Sequence, residues 1–266
     1  MPHFAKKSIG LNILKNNICY ISEKEKYSTR SITNNSLGYK YLAFLSMIYV
    51  SIMLFNAILT NRYIGTETIF VLGGTFTSPF VFLIDNIIAE IYGFKITRSI
   101  IFCGIAAQTL FVLLCELVLH APHPNFFNGN AAYEQILGWS LLRIHISGCA
   151  AYILAILFNT KVLTQWKILL KGRKFWLRSL GSCTISELLY SFIAILLMEA
   201  QSIQISYILK VVALSYSIKM LYNIVLVLPT QALVNHIRLV TGIDVYDFNH
   251  KFTPSKYYKY NIMGNN

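Results

Sequence analysis

The chain has 266 residues, of which 55% are hydrophobic and 13% charged, with a mean hydropathy of +0.54. A water-soluble domain of this length carries roughly a quarter charged residues to cover its surface, so composition excludes an ordinary soluble globule and points to lipid as solvent for much of the exterior. The formal net charge of +12 raises nucleic acid as a partner, a question settled by where the charge lies.

In chain order, residues 1–40 are rich in Lys, Asn and Ser and have no apolar core, which predicts a flexible basic tail and no cleavable signal peptide. A membrane helix needs about 20 mostly apolar residues to cross a hydrocarbon core of ~30 Å. Six stretches meet that requirement: 41–60, 68–90, 97–119, 139–159, 179–198 and 207–229. They predict an all-α membrane protein, a bundle of six transmembrane helices over residues 41–233, followed by a C-terminal tail over 234–266. The second stretch is the least regular. Its Gly73-Gly74, Thr77, Ser78 and Pro79 predict two half-helices meeting at a break.

Lysine and arginine give the orientation. The N-terminal tail holds seven, residues 91–98 two, residues 160–178 six and the C-terminal tail four, whereas the three alternate loops hold only Arg62. Both termini are therefore expected in the cytoplasm and the loop 120–138 outside. The basic excess is then a topology signal, and no nucleic-acid partner is implied. Five cysteines show no CxxC spacing, and four of them (Cys103, Cys115, Cys149, Cys183) lie in apolar runs, which predicts small buried hydrophobes.

Ionisable groups inside a span are costly, face the bundle interior and often mark a pathway. At 1.5 Å per residue, Glu187 lies about 12 Å in from the cytoplasmic start of span five, and Lys219 about 18 Å in from the outer start of span six. These are the same level of a ~30 Å core, so the two are expected to pair near the midplane. Asp85 sits about 7 Å above the cytoplasmic end of span two, with Glu90 at its boundary. Arg143 and Glu116 fall within roughly 6 Å of the outer face, where they also suit helix anchoring, and Asn56 occupies the outer third of span one. His120 and His123, three residues apart in an outer loop, lack a third metal ligand, so no metal site is expected. His145 reads as a polar residue satisfied within the bundle. Trp139, Trp166 and Trp176 fall at predicted interfaces, as an aromatic belt requires.

Several local patterns occur in one order: Asn56; Pro79-x5-Asp85-x4-Glu90-Ile91-Tyr92-Gly93; Arg98; and Arg143-x3-Ser147-x2-Ala150-Ala151-Tyr152. They continue with Arg178-x2-Gly181-Ser182-x3-Ser186, Lys219 followed by Pro229, and Asp244-x-Tyr246-Asp247. The chain thereby resembles the VUT family of queuosine precursor transporters over about residues 41–254. The resemblance implies import of a 7-deazaguanine such as 7-cyano-7-deazaguanine, for tRNA modification, across the inner membrane. It implies no cofactor and no enzymatic activity, and leaves homo-oligomerisation open. The substrate-binding residues it suggests are Asn56, Asp85, Glu90, Arg143, Glu187 and Lys219. Two departures stand out: Asn159 replaces an acidic residue usual in the family, and Glu187 with Tyr190 replaces a Gln-x2-Asp pattern. The carboxylate moves by three residues, which keeps it on about the same helix face.

A carboxylate suits the substrate class, because a guanine-like edge presents two parallel N–H donors while its carbonyl oxygen seeks a donor and its face an aromatic ring. Two other readings are weighed. One is a substrate-binding subunit of an energy-coupling-factor importer, against which stands the bulk of span one, with no clear small-residue stripe. The other is an intramembrane enzyme, for which no nucleophile–base pair is recognisable.

Overall fold

The computed structural model of the protein describes residues 36–67, 69–124, 127–199 and 204–246. The expected tail 1–40, apart from its last five residues, lies outside this range, as do Cys19 and Asp247. The elements in order are α1 (Ser36–Leu59), β1 (Tyr63–Gly65), β2 (Phe70–Leu72), α2 (Gly74–Tyr92), α3 (Phe94–Leu119), α4 (Asn130–Leu137), α5 (Trp139–Leu169), α6 (Phe175–Glu199) and α7 (Ile205–Thr241).

Among the described residues, five helical segments are long and apolar enough to cross a membrane: α1, α3, α4 with α5, α6 and α7. Their lipid-ward surfaces carry large apolar side chains such as Phe55, Leu113, Leu117 and Leu228, each well exposed. α2, taken from sequence as the second span, is not among the five. At 19 residues it is about 28 Å long, and 15 of those residues are buried. It packs against α1, α3, α5 and α7. Apart from the exposed Phe80, this helix meets mostly protein rather than lipid, so it carries Asp85, Asn86 and Glu90 among Ile87, Ile88 and Ile91 without exposing them.

The expected break in the second span is corrected. The segment is not two half-helices: residues 63–72 form an antiparallel hairpin with Tyr63 opposite Leu72, and α2 then runs unbroken through Pro79. Gly73 joins the two. Its N–H donates to the Arg62 carbonyl at 2.7 Å, and a Cβ there would strike the Leu59 carbonyl. At the far end of α2, Gly93 takes φ +84°, a left-handed value that favours glycine, and turns the chain directly into α3. α5 and α7 extend beyond their predicted ends at 159 and 229, and α7 continues past residue 233, where the tail was expected to begin. The loop 120–138 contains the short helix α4.

The cysteine expectation also needs correcting. Cys183 is buried, Cys115 and Cys149 are partly buried, and Cys103 is exposed on the apolar surface of α3. An apolar run in a membrane helix does not mark its buried face, because lipid accepts apolar side chains as readily as the interior does.

Candidate functional site

The end of the bundle that bears the C-terminal segment is closed by charge. Glu90, in the last turn of α2, has no exposure. Arg178, in the first turn of α6, grips its carboxylate with two parallel hydrogen bonds of 2.8 Å each. Arg238 from α7 binds Glu90 Oε1 as well, and Lys167 Nζ from α5 stands 4.0 Å away. Three cations converging on one carboxylate would repel one another, and Asp244 offsets this at 2.7 Å from Lys167 and 2.9 Å from Arg238.

The backbone takes part in the same cluster. After Gly242 (φ +67°) the chain folds back, so that the Val245 N–H donates to the Ile91 carbonyl at 3.1 Å. The Lys167 ammonium donates to the carbonyls of Glu90 and Val245, and the Tyr246 ring lies 4.6 Å from it. Burial pushes the Tyr246 hydroxyl up to about 12, with Asp244 acting in the same direction. Arg98 lies outside this cluster, 5.8 Å from the Phe94 ring centroid, and the counter-charges come from Arg178, Arg238 and Lys167.

One turn further in, the interior is polar but uncharged around Asp85. Thr160 Oγ1 donates to Asp85 Oδ2 at 2.9 Å. Asn159 donates to Asn86 Oδ1 at 2.7 Å, and Asn86 donates to Ser179 and Cys183 at 2.9 and 3.0 Å. This ladder ties α2 to α5 and α6 through hydrogen bonds between buried polar side chains, with Asn159 Oδ1 left without a donor among the described residues. Asn159, one of the two departures noted in the sequence, thus serves as a donor to a neighbouring amide.

Glu187 and Lys219 occupy the middle, on the adjacent helices α6 and α7. Both are buried and they interact electrostatically, but the expected ion pair is not closed within 4.0 Å. The Lys219 ammonium donates to Ser191 Oγ at 2.9 Å and lies 4.7 Å from the centroid of the Tyr190 ring. Both oxygens of Glu187 are buried without a hydrogen-bond partner among the described residues. Asn223, one turn beyond Lys219, lies beside Glu187, yet its amide closes no hydrogen bond either.

On the other side of Tyr190 lies a cavity of about 40 Å³, lined by Asn56, Gln108, His145, Tyr152 and Tyr190 among others. Phe82, Tyr152 and Tyr190 pack edge to face around it, with centroids 5.8 to 6.2 Å apart. Asn56 Oδ1 accepts from Thr77 at 2.6 Å, and the His145 ring pairs with Thr109 at 3.0 Å. At the hairpin end, Tyr63 donates to the buried Glu199 at 2.7 Å. Burial, then the Glu199 carboxylate, pushes the Tyr63 hydroxyl up to about 12, while half-buried Arg143 pulls the other way.

The six residues singled out by sequence therefore fall into four places along one polar seam. Glu90 lies in the charge cluster, Asp85 in the amide ladder, Glu187 with Lys219 in the middle, and Asn56 and Arg143 toward the hairpin. Sequence reasoning missed Lys167, Arg238 and Glu199, whose charges lie at or beyond the ends of apolar stretches, and Thr160 and Asn223, whose side chains carry no charge.

The sequence profile of the family described as "Putative vitamin uptake transporter" matches residues 72–234, more than half of the chain. No curated protein and no solved structure matches it.

Proposed function

We propose that this chain, which belongs to the VUT family of multi-pass membrane transporters, imports a 7-deazaguanine precursor of queuosine through the Glu187–Lys219 site. The chain works here as a carrier rather than an enzyme, in the bacterial inner membrane with both termini cytoplasmic, and without nucleic acid. The orientation rests on the split of loop Lys and Arg.

One observation carries the substrate reading: Glu187, fully buried, presents two carboxylate oxygens that no described donor engages. Such a group costs several kcal/mol unless donors reach it. The adjacent N–H and amino groups of a guanine-like edge are two parallel donors at the spacing a carboxylate accepts. In this reading Lys219 and the Asn223 amide meet the ring carbonyl, and the Tyr190 ring, now under the Lys219 ammonium, stacks on the substrate once Lys219 turns to it. The neighbouring cavity of about 40 Å³ is far below the several hundred Å³ of small-molecule sites. In this reading the conformation is closed, and the bundle opens at one end or the other to admit substrate.

The test is uptake of labelled 7-cyano-7-deazaguanine by cells that lack their own route for it. Accumulation that depends on this chain supports the reading. No accumulation, with the protein shown to be in the membrane, ends it.

A further inference from the structure

We propose that Asp85 is a proton-binding site that couples transport to the proton gradient. The inference rests on the chain being a transporter, and not on the identity of its substrate.

Three carboxylates line the inner half of the seam, and their surroundings differ in kind. Glu90 has Arg178, Arg238 and Lys167 about it. Glu187 has Lys219 as an electrostatic neighbour. Asp85, only 1% exposed, has no Lys, Arg or His within 4.0 Å among the described residues. Its surroundings come from three other helices and are neutral or acidic. Tyr49 from α1, Tyr152, Thr160 and Asn159 from α5, and Cys183 from α6 all interact with it. Thr160 donates to it and the Asn159 amide lies beside it, neutral partners that do not balance a buried charge, and in this proposal the carboxyl carries a proton.

The neighbourhood accepts that proton. Among the described residues Oδ1 of adjacent Asn159 is buried without a donor, while its Nδ2 donates to Asn86 and its amide also interacts with Asp85. A carboxyl O–H on Asp85 adds the donor this set lacks. A route also leads away from it: the hydroxyls of Tyr49 and Tyr152 are hydrogen-bonded to each other beside Asp85, and Tyr152 lines the cavity below the hairpin. On the other side, the Glu90 cluster stands between Asp85 and the C-terminal end. Opening the hairpin end connects Asp85 to one side of the membrane, and parting the charge cluster connects it to the other. An O–H bond forms on Asp85 with a proton from the more acidic compartment. It breaks to water on the opposite side, so one proton crosses per cycle and nothing is oxidised or reduced.

The first test needs no substrate. Infrared difference spectra of the purified protein at neutral pH should contain the carbonyl stretch of a protonated, buried carboxyl. Asp85→Asn should remove that band, Glu187→Gln should leave it, and Asp85→Glu should restore one at a shifted frequency. Survival of the whole band in Asp85→Asn overturns the proposal. If Asp85→Asn does not fold, Thr160→Val takes its place, since loss of the Thr160 hydrogen bond should shift the band, and an unmoved band overturns the proposal.

A second test uses proteoliposomes loaded with a pH-sensitive dye and given 7-cyano-7-deazaguanine. Wild-type protein should carry protons inward with the compound. Asp85→Asn should bind the compound, as read by thermal shift, with proton movement reduced to background. Proton movement equal to wild type in Asp85→Asn overturns the proposal. If the wild type shows no binding of the compound, the substrate reading fails and the infrared result alone decides Asp85.

Discussion

Glu90 and Arg178, 88 positions apart in sequence, meet in a two-pronged ion pair from which water is excluded on both sides. The pair joins the last turn of α2 to the first turn of α6. It is completed by Arg238 and Lys167, so that one carboxylate holds four helices together at a single end of the bundle. Breaking such a pair from one side leaves a charge stranded where it cannot be hydrated.

Glu90→Gln should therefore be the most damaging single change in the molecule. Arg178, Arg238 and Lys167 would converge with only Asp244 to offset them, and the expected loss is about 3–5 kcal/mol. Thermal unfolding in detergent measures it, with Glu116→Gln as a partly exposed control whose ion pair to His120 is worth little. Equal melting of the two variants would contradict the cluster's structural weight.

Lys219→Met should abolish uptake and destabilise the protein, because Glu187 then lacks its cationic neighbour and its oxygens already lack hydrogen bonds among the described residues. The double change Glu187→Gln with Lys219→Met should fold better than the single one and still transport poorly. A charge-assisted hydrogen bond contributes about 1.5–3 kcal/mol, so a loss of uptake of about tenfold or more is expected. Normal uptake by the double variant would remove the pair from the substrate path.

Gly73→Ala tests the hairpin. The added methyl group meets the Leu59 carbonyl, which belongs to backbone and cannot swing aside. The expected cost is about 1–3 kcal/mol, typical of overpacking, with the damage confined to the junction of the hairpin with α2. Hydrogen exchange at Tyr63–Leu72 should rise while that of Ile87–Tyr92 stays unchanged. Unchanged exchange at both would show that the junction yields without strain.

Topology is checked at Asn128. A cysteine placed there should react with an impermeant maleimide in intact cells, since the loop between α3 and α5 lacks Lys and Arg whereas the segments on the opposite side hold nearly all of them. Protection of that cysteine, with labelling at residue 171 instead, reverses the orientation.

How much of this was legible in the sequence depends on what each signal measures. Long apolar runs predicted the helices well, because each is long enough to span lipid and little else requires such a run. The same runs ended too early for α5 and α7, since those helices continue beyond the apolar stretch on segments of mixed polarity. Lys167 and Arg238 lie on those extensions. A count by loops reads them as charges facing water, and the fold turns them inward onto Glu90. The hairpin was missed for a different reason: the three residues Phe70–Leu72, followed by glycines and an apolar helix, have no period of their own. Counting 1.5 Å per residue led to Glu187 and Lys219 as a pair, and they are electrostatic neighbours, but such counting does not fix rotamers, and Lys219 turns to Ser191.

The charge cluster also sets an order on assembly. Glu90 belongs to the second helix made, yet its partner Arg238 lies 148 positions later, and Asp244, which balances the cations, lies later still. Until those partners are made the Glu90 carboxylate is uncompensated, and lone charges in hydrocarbon are held poorly. Stable burial of the C-terminal end of α2 is therefore expected only once α6 and α7 are present. The last described residues, Gly242–Tyr246, act as a clasp that is fastened only when everything before them is in place.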